Sequence, residues 1–149
     1  GGGVSGSSPT ITSGPITQGS GGTNLNNSLS SYSGTQEIDT GNNNKYDLEL
    51  YIVEGYTDSS NNPQRTNTMM LSSIEILGRA GITNEPTTYN KVNIGMLSIL
   101  QRQISETPPE YECYGYIKIK ELNNRYFSLY NLTNVTISFG TIMYIITKY

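Results

Sequence analysis

The chain has 149 residues, 34% of them hydrophobic and 14% charged, with nine Lys and Arg against twelve Asp and Glu, no His and a single Cys. That leaves room for one small domain beside a low-complexity tail, and it excludes His-based catalysis, an internal disulfide and a Cys-rich zinc site. With a net charge of −3 and no basic cluster beyond Lys118 and Lys120, a nucleic-acid partner is disfavoured; no apolar run approaches the ~18 residues of a membrane-spanning helix.

Residues 1–36 carry no charge, ten of the sixteen glycines fall within residues 1–41, and the first cation is Lys45. We therefore divide the chain into an extended Gly/Ser/Thr/Asn-rich arm, 1–44, and a single β-rich domain, 45–149. Residues 9–12 and 15–17 of the arm are short β-like pieces, suited to adding to an exposed sheet edge through main-chain hydrogen bonds. Holding such an arm in one conformation costs more backbone entropy than Val4, Ile11, Ile16, Leu25 and Leu29 return by burial. Neighbouring subunits are expected to supply the missing surface. The opening Gly1-Gly2-Gly3 reads as a processed terminus, the start of a piece of a longer polypeptide, or a tag.

In the domain, Tyr46, Leu48, Leu50 and Ile52 alternate with Asp47, Glu49, Tyr51 and Val53, the pattern of a half-buried strand. Residues 55–66 read as a polar loop, 69–77 as a second strand and 80–90 as another loop. From 91 to 105, Val92, Met96, Leu97, Ile99, Leu100 and Ile104 share an arc of about 160° at 100° per residue, which predicts an amphipathic helix. Pro108 and Pro109 stop it. Tyr111, Cys113, Gly115, Ile117 and Ile119 then alternate with polar or aromatic residues, and Cys113 is expected as a small buried hydrophobe. Asn123-Asn124 predicts a tight hairpin turn into a strand at 126–130. The closing run, with apolar residues on both faces after Gly140, belongs in the middle of a sheet or under a neighbouring subunit.

Strands with one helix, long polar loops and no βαβ rhythm predict a mainly β fold: an antiparallel β sandwich or small barrel with one short amphipathic helix and the extended arm. An α+β arrangement is the alternative.

Carboxylate chemistry is the enzymatic option left, through Glu106, Glu110 and Glu112. Glu110 and Glu112 share an exposed strand face with no cleft in prospect, so no catalytic residue is expected. Asp39 with Asn42 to Asn44, and Asp58 with its neighbours, supply oxygen ligands but not the calcium-loop spacing, and read as side-chain-capped turns. The sequons at Asn26, Asn131 and Asn134 read as by-products of an Asn- and Thr-rich composition. Twelve tyrosines stand against no tryptophan; Tyr114, Tyr116, Tyr126 and Tyr130 are expected to pack across strands or form an interface, with a sugar platform as the other use of such a row.

These readings point to a non-enzymatic structural subunit of a symmetric assembly: a capsid-decorating, minor capsid or fibre protein of a virion, tied to its neighbours by the arm. One alternative is a subunit of a secreted, cell-surface microbial filament that uses N-terminal strand exchange; another is a glycan-binding adhesin module. The expected partners are copies of the chain or other subunits of the same assembly, with a glycan for the adhesin. No cofactor, metal, nucleic acid or membrane is expected.

Overall fold

The computed structural model describes residues 8–17, 28–41, 45–53, 56–58, 69–81, 90–106 and 109–149. The chain is mainly β, with no helix among these residues. A small sheet runs in the order β1 (Thr10–Pro15), β13 (Thr141–Lys148), β5 (Tyr46–Val53) and β10 (Tyr116–Leu122), antiparallel throughout. A large antiparallel sheet runs β3 (Ser33–Gly34), β11 (Tyr126–Asn131), β7 (Met70–Arg79), β8 (Val92–Glu106), β9 (Pro109–Tyr114) and β6 (Tyr56–Asp58), and β4 (Ile38–Asp39) also pairs with β11. A two-residue ladder joins β2 (Ser28–Leu29) to β12 (Ile137–Ser138).

The two larger sheets share one apolar core, as a sandwich or small barrel requires. Leu48 and Leu50 of β5 with Ile142 and Ile146 of β13 come from one sheet; Ile74 and Ile76 of β7, Leu97 and Ile99 of β8, and Phe127 and Leu129 of β11 come from the other. Phe127 meets Tyr144 edge to face, with ring centroids 5.9 Å apart, a preferred aromatic geometry that pins the sheets together. The period of two explains each pattern, since alternate side chains leave a strand on opposite faces.

The helix expected over 91–105 is instead β8. Leu97, Ile99, Gln101 and Gln103 are buried, whereas Met96, Ser98, Leu100 and Arg102 are exposed, which is strand alternation. Val92, Met96, Leu100 and Ile104 recur every four residues, and four is both near a helical turn and an even number, so a strand satisfies the same spacing. Tertiary pairing decides between them: β8 hydrogen-bonds along both edges, to β7 and β9. Near its start, Gly95 N–H donates to Asn93 Oδ1 at 2.9 Å where the register with β7 shifts, and a Cβ on Gly95 would lie 2.6 Å from Ile119 Cδ1.

The hairpin expected around Asn123-Asn124 also takes another form. β10 pairs with β5 and β11 with β7, so this turn carries the chain from the small sheet to the large one. Glu121, at φ 57°, sits in a bulge of β10, where its N–H donates to Asp47 Oδ1 at 3.0 Å. Residues 56–58, placed within a loop by sequence, form β6 on the outer edge of the large sheet.

The described stretches of the arm are built into their own chain's sheets. β1 pairs with β13, β2 with β12, and β3 and β4 with β11, while Ile16 and Leu29 are buried in the core. Sequence reasoning assumed that surfaces for these residues had to come from other subunits; here β11 and β13 provide them. Placing β1 outside β13 also puts β13 in the interior of the small sheet, as its two-faced apolar pattern anticipates.

Candidate interaction surfaces

Of the five aliphatic arm residues singled out by sequence, Ile16 and Leu29 are core residues and Ile11 is 65% exposed on β1. Val4 and Leu25 lie outside the described residues. β1 is exposed at every position but Gly14, and its link to β13 is the antiparallel ladder from Thr10↔Lys148 to Pro15↔Met143. Its outward residues Ile11, Ser13 and Pro15 lie beside Thr147, Ile145 and Met143.

The four tyrosines do not form one ridge. Tyr114 ends β9 in the large sheet and Tyr116 begins β10 in the small one, so these residues, both exposed, face out from different sheets. Tyr114 donates to Glu112 Oε2 at 2.7 Å, and Tyr116 donates to Glu49 Oε1 at 2.7 Å. The bond to Glu49 raises the Tyr116 pKa. Tyr126 and Tyr130 lie on β11: Tyr126 carries the Arg79 guanidinium 3.9 Å above its ring, and Tyr130 donates to the Tyr32 carbonyl at 3.1 Å.

The carboxylates are held by neighbours. Glu112 accepts from Tyr114 and from Arg102 at 2.8 Å, and these bonds lower its pKa, Tyr114 contributing most. Glu110 is exposed, and the side chain of Glu106 is outside the described part of the structure. No group of three or more His, Cys, Asp or Glu placed to hold a metal ion occurs among the described residues. Asp39 caps a turn, accepting from Gly41 N–H at 2.8 Å, and accepts both Arg125 Nε and Nη2 at 2.9 Å. The neighbouring Glu37 accepts from Arg79 Nε at 2.8 Å and also faces Lys91. Two acids of the arm are thus fastened to two arginines of the domain across Tyr126.

Buried polar groups are mostly satisfied. Asn131 is fully buried and its Nδ2 donates to the carbonyls of Leu29, Ser30 and Val135 at 3.0, 3.2 and 2.8 Å, while Oδ1 accepts from Thr133 N–H and Oγ1. One of the three sequons is therefore inaccessible to a glycan in the folded chain. Gln101 Nε2 donates to the Ser138 carbonyl and lies 3.7 Å from the buried Cys113 Sγ. Tyr46 OH and Gln103 Oε1 are buried with no partner among the described residues, and burial pushes the Tyr46 pKa up.

Sequence reasoning missed the outer face of the large sheet. Leu71, Met96, Leu100, Leu132 and Val135 are exposed there or at its margin, and a groove of about 490 Å³ is lined by Leu71, Met96, Leu132 and Val135 among others. Reading residues 91–105 as a helix placed Met96 and Leu100 on a buried stripe and so hid this surface.

Comparison with protein-family models, curated proteins and solved structures finds no match to this chain.

Proposed function

We propose that the chain is a non-enzymatic structural subunit of a symmetric assembly on a virion, joined to its neighbours by its N-terminal arm. The observation that carries this reading is β1. It is an exposed edge strand whose bond to β13 is a main-chain ladder with little side-chain burial, and residues 16–27 separate it from the next strand, β2. Such a ladder forms equally well with the same edge of another copy, which is how strand exchange joins subunits without new chemistry. The neutral polar composition supports a setting outside cells, in a virion; a secreted filament built by the same exchange is the alternative, favoured by the same strand.

An engineered disulfide between Ser13 and Ile145, opposite one another across β1 and β13, tests the reading. With both changed to Cys, oxidation of the assembled protein should give covalent dimers and higher species on a non-reducing gel. Monomer bands alone would mean that β1 stays on its own chain and would remove the arm as the tie.

A further inference from the structure

The outer face of the large sheet is corrugated. Leu71, Leu100 and Tyr114 lie opposite one another across β7, β8 and β9, forming an apolar ridge. One step along the strands, Ser73 faces Ser98 and leaves a shallow trough. The next row returns to bulk, with Met96 opposite Glu75 and Tyr130 beyond it on β11. Pairing of β7 with β11 ends at Glu75, and the loop that follows Asn131 brings Leu132 and Val135 against the unpaired end of β7 to complete the groove.

We infer that this face is a two-fold contact between copies of the chain, an inference that rests on the assembly reading and names its surface. The axis lies in the contact plane, across β8 between the rows of Ser98 and Leu100, so that Leu100 of each copy enters the seryl trough of the other at Ser98 and Leu71 covers Ser73. Such a contact is self-complementary, as a two-fold demands. Charge agrees. A two-fold sets a surface against itself, so the charges beside the ridge must be neutralised internally, and in the adjoining row Arg102 pairs with Glu112 at 2.8 Å.

Area agrees too. Leu71, Met96, Leu100, Tyr114, Leu132 and Val135 are between 39% and 66% exposed. At roughly 200 Å² per side chain they offer about 600 Å² per copy, the upper end for a monomer's largest apolar patch and most of the roughly 800 Å² per partner of a standard interface.

Sedimentation velocity over a range of concentrations tests this with three proteins: the unaltered chain, Ser98→Lys in the trough, and Lys118→Ser on the outer face of the other sheet. We expect even-numbered species for the unaltered chain, a dissociation constant at least 100-fold weaker for Ser98→Lys, and no comparable change for Lys118→Ser. Should Ser98→Lys lose its β circular dichroism, Leu100→Ser replaces it with the same expectation. Oligomers that are odd-numbered, or indifferent to Ser98 and Leu100, would overturn the two-fold while leaving the assembly reading in place. A monomer at every concentration would overturn both.

Discussion

Tyr114 and Tyr116 are two residues apart and face out from different sheets, because the chain changes sheets at Gly115 between them. The Gly115 carbonyl accepts from Ile52 N–H at 3.0 Å, and a Cβ at Gly115 would lie 2.8 Å from Ile52 Cδ1 and 3.0 Å from the Ser98 carbonyl. Gly115→Ala should therefore lower stability by about 1–3 kcal/mol through overpacking, read as a lower urea midpoint. An unchanged midpoint would show that the crossing has room to spare.

Asn131 ties the arm to the loop after β11. Removing its amide takes a donor from the carbonyls of Leu29 and Ser30 and leaves that of Val135 to Thr133 Oγ1 alone, so Asn131→Ala should cost about 2–3 kcal/mol. Asn131→Asp keeps the shape but sets a carboxylate against those carbonyls, and should cost more at pH 7 than at pH 3. Chemical denaturation at the two pH values makes the comparison.

The Arg79 side chain is 6% exposed and its partner Glu37 17%. Arg79→Ala should lower stability by about 1–3 kcal/mol, because it leaves a partly buried acid with Lys91, 3.8 Å away, in place of a hydrogen-bonded guanidinium. Arg79→Lys should recover only part of this, since an ammonium cannot reproduce the planar stack on Tyr126.

Asp39 gives the fold a pH dependence of known sign. The hydrogen bond from Arg125 is the main cause that holds its carboxyl below the ordinary value of 3.8. A carboxyl with a lower pKa folded than unfolded stabilises the fold above the unfolded value, and the benefit disappears as pH falls through the folded one. Asp39 is 44% exposed, so screening limits the effect to under about 1 kcal/mol. Asp39→Asn should lower the melting temperature slightly at pH 7 and flatten its decline below pH 4, as a calorimetric series would record.

Ile145 and Ile146 separate the faces of β13. Ile146 is 3% exposed in the core, while Ile145 faces outward beside Ser13 and Glu49. Ile146→Lys should abolish folding by burying an unpaired charge. Ile145→Lys should leave the β circular dichroism intact, with Glu49 as a cross-strand partner.

Much of the fold was legible from alternation alone. Residues 46–53 show the period of two and are β5; the segment read at 69–77 is β7, and the run with apolar residues on both faces after Gly140 is β13. What escaped was partnership. A period records which side chains share a face but not which strand lies alongside, so the turn at Asn123-Asn124 looked like a hairpin, and Tyr114, Tyr116, Tyr126 and Tyr130 looked like neighbours. Residues 92–104 failed for a narrower reason, their four-residue spacing being common to both periods. The arm misled through composition: its glycines suggest a tail, and nothing local reveals that β11 and β13 have edges waiting for it.

The position of β13 between β1 and β5 fixes an order of events during synthesis. Both flanking strands leave the ribosome long before residues 141–148 exist, yet neither can pair on that side until they do. At roughly 5–20 residues per second, the β5 edge that bears Leu48 and Leu50 waits about 5–20 s for its partner. With the ladder from Thr10 to Lys148 spanning most of the sequence, closure of the small sheet comes last and slowly, as pairings between distant segments do. Until then the nascent chain depends on dilution or a chaperone to keep that edge from another molecule.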